Sequence, residues 1–379
     1  MRVLFSCNAA DGHLLPLVPL ARAFEERGDA VAVATAAGYA DRAASFGFEV
    51  LPAGLDTSQL AERLAPRRQQ LEGVPFEHRR AFMYSWRFAE VDAPAKVNAL
   101  LAGARTWKPD LLIHDTTDLA GPAVAAALGI PSTHHSFGLV LPPECLERAV
   151  EAIAPVWRAL GLEADPFAGL YRGTYVDVCP PSLQGDAPPD GTPVLPLRVT
   201  DVGAGDPVWR ARLPEDRPVV YATLGTLSDD PKRLQLLVTA LAGVEATVVM
   251  TIGAGHDPAS LGPLPANAIV ERYIPQDDLL PLVDAVVCHA GSGSTFGALA
   301  YALPLVLLPA AADQFDNARA CAGAGAAITL LPSEVHVSSV CDAAAVVLAN
   351  PTYGAAAARI GAEFEAMRSP AEIAQALSL

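Results

Sequence analysis

Short runs of apolar residues, each followed by a longer segment with apolar positions three or four apart, recur along the whole chain. In the first half the runs are Val3 to Cys7, Ala30 to Thr35, Leu111 to His114 and Pro131 to His134, with helical spacing over Leu14 to Arg27 and in the Ala-rich Leu119 to Leu128. Strands that are apolar throughout, rather than at alternate residues, belong to parallel sheets covered by helices on both faces. From Cys179 to Pro218 the pattern dissolves into Pro, Gly and Asp, as in Pro188-Pro189-Asp190-Gly191, which reads as a linker. The alternation then restarts with Val219 to Leu224, Thr247 to Ile252, Ala285 to Cys288 and Leu305 to Leu308. The expected fold is therefore α/β. It has two Rossmann-like, doubly wound parallel-sheet domains, over residues 1–200 and 201–365, facing each other across a cleft. A terminal helix at 366–379 can pack back on the first domain. Such sheets bind ligands at the carboxyl ends of their strands, so functional residues are expected in the loops just beyond them.

Length agrees with two domains: 379 residues exceed what one core usually serves, and 51% hydrophobic residues can fill two. A formal charge of −16 repels nucleic acid and anionic lipid, so a bound phosphate has to be held locally by backbone amides and helix ends. No apolar stretch approaches the roughly 18 residues of a membrane span. The longest, Leu303 to Ala312, is broken by Pro304 and Pro309, and Met1 to Phe5 enters a strand with no leader-like apolar region. The cysteines Cys7, Cys145, Cys179, Cys288, Cys321 and Cys341 lack CxxC spacing, so a reduced cytoplasmic protein without a cysteine-held zinc is expected. One stretch, Ser58 to Ala95, fits the alternation poorly. Its Phe76, Phe82, Met83, Trp86 and Phe88 stand among charged residues and form either the core face of a helical insertion or one wall of an apolar pocket.

Directly after the run Ala285 to Cys288 comes His289-Ala290-Gly291-Ser292-Gly293-Ser294-Thr295, followed by a helix predicted over Phe296 to Ala302. Small residues there let backbone N–H groups approach an anion, and a helix N-terminus adds about half a positive charge. Ser294 and Thr295 supply hydroxyls and His289 a ring N–H. Gly291 and Gly293 match the first two places of the dinucleotide fingerprint GxGxxG, but Phe296 stands at the third, and no GxxxxGK[ST] occurs anywhere. That leaves a diphosphate loop of another kind, or a plain structural turn. In the first half His13 follows the first strand at a helix start, next to Gly12, where a neutral imidazole can accept a proton. A base of this kind works better when a carboxylate fixes its tautomer. Asp115, directly after Leu111 to His114, is the first choice and Asp118 the reserve, while Asp11 is close in sequence to His13.

Together with Leu307-Leu308-Pro309 and Asp313-Gln314-Phe315-Asp316-Asn317-Ala318, the stretch His289 to Thr295 resembles the nucleotide-sugar signature of family 1 glycosyltransferases. It is most similar to that of actinobacterial enzymes that decorate antibiotics and other natural products. Gly12-His13-Leu14-Leu15-Pro16, Tyr221-Ala222-Thr223-Leu224-Gly225-Thr226 and Arg272-Tyr273-Ile274-Pro275-Gln276 extend the resemblance over both domains in order. The resemblance implies a GT-B fold in which His289, Ser294 and Thr295, with the backbone at Gly291 and Gly293, hold the diphosphate, and Thr226 reaches the same phosphates. It places Tyr273 where an aromatic ring stacks on the base, Ile274 where a backbone group pairs with the base edge, and Asp313 and Gln314 on the sugar hydroxyls. His13 and Asp115 become base and partner, and Phe76, Phe82, Trp86, His135 and Phe137 the acceptor pocket.

The implied reaction is a metal-independent, inverting transfer of a deoxysugar from a dTDP-sugar to a hydroxyl of a small hydrophobic aglycone. Relatives that use UDP-sugars carry a ribose-binding glutamate where this chain has Gly297. A nearby acidic pair, Asp229-Asp230, precedes Pro231 and reads as a helix start rather than a metal site. The expected partners are the aglycone and the nucleotide-sugar, with no resident cofactor, no nucleic acid and no membrane insertion; a homodimer is left open. A GT-B nucleotide-sugar epimerase and a non-catalytic nucleotide-sugar-binding activator of another transferase stay open as alternatives, although a binding module has no use for a base at His13.

Overall fold

A computed structural model describes residues 1–379 except 68–69, 72, 76–77, 200–209, 211–212, 214–215, 226–230, 254 and 379. Phe76, Thr226, Asp229 and Asp230 therefore lie outside the described residues.

The first sheet is built from β1 (Arg2–Ser6), β2 (Ala30–Thr35), β3 (Glu49–Pro52), β4 (Leu111–Asp115), β5 (Ser132–His135), β6 (Thr174–Asp177) and β7 (Val194–Pro196). Its spatial order is β3-β2-β1-β4-β5-β6-β7, and every neighbouring pair is parallel. The second sheet contains β8 (Val219–Thr223), β9 (Thr247–Thr251), β10 (Ala268–Glu271), β11 (Ala285–Cys288), β12 (Leu305–Leu307) and β13 (Ala327–Thr329). These run in the order β10-β9-β8-β11-β12-β13, again all parallel.

The unbroken apolar runs become the inner strands because both of their faces are covered. Leu4, Ala32 and Leu112 pack beneath Leu100, Ala104, Ala123 and Trp157, and Val220, Val248, Val287 and Val306 beneath Leu234, Leu237, Val340 and Ala344. Each fully buried Leu or Val contributes about 1.5–3 kcal/mol relative to exposure, so these columns anchor the two sheets.

Contacts divide the chain into two compact units. One comprises Met1–Cys179, Gly185–Leu197 and Arg368–Leu379; the other comprises Pro180–Gln184 and Arg198–Met367. Part of the stretch read as linker is thus a strand: β7 extends the edge of the first sheet, and Leu197 bridges to Arg368. The terminal helix Pro370–Ala376 belongs to the first unit, where the Arg27 guanidinium donates to the Ala374 carbonyl and to the Ser378 hydroxyl. In the second half of the ill-fitting stretch, Arg79–Tyr84 runs into a widened π-helical segment, Ser85–Asp92, and then into Ala93–Trp107. None of the six cysteines is in a disulfide. Among the described residues no helix is long and apolar enough to cross a membrane, and no cluster of His, Cys, Asp and Glu is arranged to hold a metal.

Candidate active site

In each sheet the strand order reverses once: between β1 and β4 in the first unit, and between β8 and β11 in the second. The connections leave in opposite directions at such a point and open a crevice beyond the carboxyl ends of the two strands. The chemistry anticipated from the sequence lies at these two crevices.

In the first unit, His13 sits on the short helix Asp11–Leu14 beyond β1, and Asp115 ends β4. Register pairs Ser6 with His114, which brings Asp115 next to the loop after β1. The His13 Nδ1 lies 3.5 Å from Asp115 Oδ2 and 3.2 Å from Thr117 Oγ1. Asp115 is 1% exposed and His13 13%. A carboxylate so deeply buried needs donors. It finds them on Oδ1, which accepts from the Thr117 hydroxyl at 2.6 Å, from the Thr117 amide and from the Asp118 amide at 3.1 Å. Its Oδ2 takes no hydrogen bond among the described residues and faces the imidazole. Asn8 steadies the arrangement, its Nδ2 donating to Thr117 O and to Thr117 Oγ1, both at 3.1 Å.

The other two carboxylates near His13 are engaged elsewhere. Asp118 is locked by Lys96, whose Nζ lies 2.8 Å from Oδ2 and also donates to the Cys7 carbonyl at 2.7 Å. Ser6 donates to the same Asp118 oxygen, and the amides of Ala120 and Gly121, each at 3.2 Å, occupy the other. Asp11 is held by Tyr39 and Arg42. Asp115 is the carboxylate that faces His13.

Two rings stand edge-on to His13: Phe137 with centroids 5.3 Å apart and Phe88 at 6.0 Å. Phe88, carried on the π-helical segment, belongs to the stretch read as core face or pocket wall but was not in the acceptor-pocket set. Of those that were, Phe82 is half-buried against Trp86 with centroids 6.1 Å apart. Trp86 is only 2% exposed and His135 is fully buried, so neither presents surface beside His13 in this structure. The His135 Nδ1 donates to the Ser136 carbonyl at 2.6 Å, and burial pulls the ring's pKa down to about 4.

In the second unit, His289 follows β11 and is clamped between two glycines. A Cβ on Gly225, whose φ is +78°, would lie 2.5 Å from the His289 ring, and one on Gly291 would overlap it. Desolvation lowers the His289 pKa to about 4 despite the opposing pull of Asp313, and Arg233 lowers it further, so the ring brings an N–H and no charge. The helix begins at Ser292, earlier than Phe296, with Gly291 as its cap. The Gly-Ser residues read as loop are therefore its first turn, and the amides of Ser292, Gly293 and Ser294 are those with no partner inside the helix. The Cβ position of Gly293 meets nothing within 4 Å, which leaves that side open. Thr295 instead points into the core, with Oγ1 4.0 Å from Cys288 Sγ. Ser294 Oγ accepts from Gln276 Nε2 at 3.3 Å.

Ala290 holds a left-handed φ of +65°, a conformation that needs support in a residue with a side chain. Buried Asn317 supplies it. Its Nδ2 donates to Ala290 O at 2.9 Å and reaches Ser292 Oγ at 3.0 Å and Asp313 Oδ2 at 3.1 Å, joining the loops after β11 and β12. Asp313 also accepts from Ser292 Oγ at 2.8 Å, while Gln314 Oε1 is taken by the amides of Ala310 and Ala311 at 2.8 and 3.1 Å. Tyr273 is 57% exposed, whereas Ile274 is buried.

Sequence reasoning passed over Asn8, Thr117, Lys96 and Asn317. Of these only Lys96 carried a signal, as a lone charge on the face of its helix shared by Ala93, Val97, Leu100 and Ala104.

Comparison with known proteins decides the family. The model of the N-terminal domain of erythromycin biosynthesis protein CIII-like proteins matches residues 22–225, and that of their C-terminal domain matches residues 235–379. The chain belongs to this CIII-like glycosyltransferase family. The CIII-like chain is 34% identical to an L-demethylnoviosyl transferase of Streptomyces niveus, over all of its own length and 98% of the relative's. It is 32% identical to an elloramycin glycosyltransferase of Streptomyces olivaceus, over 100% and 97% of the two chains. Among solved structures it resembles a spinosyn rhamnosyltransferase, with a TM-score of 0.82 at 29% identity over the whole of both chains. It also resembles a Streptomyces sp. SF2575 glycosyltransferase complexed with thymidine diphosphate, with a TM-score of 0.79 at 28% identity over 100% and 99% of the chains. The CIII-like chain is thus a GT-B glycosyltransferase of the antibiotic type, transferring a sugar to an aglycone.

Proposed function

We propose that the enzyme transfers a deoxysugar from a dTDP-sugar to a hydroxyl of a small apolar aglycone, with inversion at the anomeric carbon and without a metal. The observation that carries this reading is the buried Asp115 carboxylate with Oδ2 turned to His13 Nδ1 at 3.5 Å, beneath a ring flanked by Phe88 and Phe137. His13 Nε2 takes the proton of the acceptor hydroxyl as that oxygen bonds to the anomeric carbon. The bond from that carbon to the diphosphate breaks in the same step, and its electron pair leaves with dTDP. Asp115 stabilises the imidazolium that forms. In the second unit the free amides of Ser292, Gly293 and Ser294, the helix dipole and the neutral His289 N–H meet the charge on the departing diphosphate. Asp313 and the NH₂ of Gln314 serve the sugar hydroxyls, and exposed Tyr273 offers a face to the base.

Thymidine over uridine is supported at Gly297. Glycine offers no carboxylate to a ribose hydroxyl, and its Cβ position faces Gln276 Oε1, the tip of a flexible side chain, at 2.8 Å. Relatives of 26–28% identity were solved with thymidine diphosphate, which agrees with this. The test is calorimetry of dTDP against UDP together with transfer assays in excess EDTA. The expected result is several-fold tighter binding of dTDP and undiminished turnover under chelation. Equal or tighter UDP binding contradicts the donor assignment, and activity lost to EDTA and restored by magnesium contradicts the metal-free leaving-group site.

A further inference from the structure

Thr117 Oγ1 stands at the centre of a three-way contact, and its single proton has one destination. The oxygen lies 2.6 Å from Asp115 Oδ1, 3.2 Å from His13 Nδ1 and 3.1 Å from Asn8 Nδ2. The orientation of the Asn8 amide is settled by its second contact: the same nitrogen faces the Thr117 carbonyl at 3.1 Å, an acceptor that the Asn8 oxygen would repel. Asn8 therefore donates to Oγ1. The shorter, charge-assisted contact with the carboxylate takes the hydroxyl proton. What Thr117 turns towards His13 is a lone pair, and Asp115 Oδ2 turns another.

We propose that Thr117 is a positioning residue which, with Asn8 behind it, fixes His13 as the Nδ1–H tautomer. Two acceptors facing one ring nitrogen leave it no stable arrangement except to carry the proton. The lone pair is then on Nε2, the nitrogen that must be bare if His13 is to accept a proton from an acceptor hydroxyl. A histidine in a free peptide favours the opposite tautomer, so the carboxylate at 3.5 Å is helped by a nearer oxygen at 3.2 Å. The consequence for catalysis rests on the role given to His13 above; the tautomer itself does not.

The test is a long-range proton–nitrogen NMR spectrum of protein labelled in its histidine rings, recorded in alkaline buffer, with His13 assigned by its disappearance in His13→Gln. The expected wild-type pattern has the proton on Nδ1. In Thr117→Val, which keeps the shape and removes the acceptor, the Nε2–H fraction rises at least about threefold, as loss of one hydrogen bond would produce. Thr117→Ser restores the wild-type pattern. Unaltered signals of buried His114, His134 and His135 report an intact fold. Should Thr117→Val not fold, Thr117→Ala removes the same acceptor with less bulk and raises the same fraction. A wild-type ring protonated on Nε2, or a ratio unmoved in the folded variant, overturns the proposal while leaving His13 itself to be judged by turnover. Conversely, an active His13→Ala enzyme would end the base reading whatever the tautomer.

Discussion

His13 and His289 both stand just beyond a central strand at a strand-order reversal, yet their surroundings differ in every respect that matters to a proton. His13 faces a carboxylate and a hydroxyl oxygen, so a positive charge on its ring would be met. His289 is pressed between Gly225 and Gly291 and kept neutral by burial, its pKa drawn down to about 4. On the function proposed above, one residue type does two jobs, accepting a proton in the first unit and offering a fixed N–H dipole in the second. Residue identity set neither role; neighbours did.

The comparison breaks most visibly at the carboxylate. Asp115→Asn would present an amide to His13, disturb its tautomer and cost on the order of 10³–10⁴-fold in turnover. Calorimetry should show dTDP binding unchanged, because Asp115 lies in the other unit from the phosphate loop. Less severe is Gly291→Ala, where the new methyl overlaps the His289 ring and must displace it. Loss of one donor to a charged diphosphate should weaken dTDP about tenfold or more and leave the His13 tautomer as it was. Normal dTDP affinity in that variant would mean that His289 is not a donor to the phosphates.

The smallest effect is on stability in acid. Burial lowers the pKa values of His114 and His134, and brings His135 and His289 to about 4, below the unfolded value of about 6.5. As pH falls through that window the unfolded chain binds protons first, so stability present above pH ~6.5 is lost progressively towards pH ~4. Asp92, raised by burial to about 6, acts in the opposite sense in the first unit, gaining its proton more readily folded than unfolded. Glu25, also raised by burial, acts with Asp92, whereas Asp29 and Asp118, held below the usual carboxylate range, act with the three histidines, so the first unit stays more acid-sensitive than the second, which holds His289. Hydrogen exchange resolved along the chain at pH 7 and pH 5 should show the larger loss of protection in the first sheet; equal losses would refute the assignment.

The same contrast between interior and periphery governs how much the sequence revealed. All eight apolar runs became strands within a residue or two, and they include β1, β4, β8 and β11, which carry the site. The strands that went unrecognised were β3, β7, β10 and β13, the four sheet edges, together with β6 beside β7. Edge strands are covered on fewer sides, and their burial is patchy, as in Glu49–Pro52 and Val194–Pro196, so no continuous apolar run marks them. β7 was hidden further by the prolines around it, which made its stretch look like a linker. At the site, His13, Asp115 and His289 were legible because their placement follows from strand ends. Thr117, Asn8 and Asn317 were not, since a buried hydroxyl or amide gains its meaning only from the partners the fold delivers.

The central claim, that the first unit supplies the base and the second unit holds the donor, is tested most directly by one paired measurement on His13→Ala: turnover by mass spectrometry with an accepted aglycone, and dTDP affinity by calorimetry on the same preparation. The account predicts at least a ~100-fold loss of turnover, the lower end of what a general base contributes, with dTDP affinity within about twofold of wild type. Near-normal turnover from the folded variant, or dTDP binding that falls along with it, would contradict it.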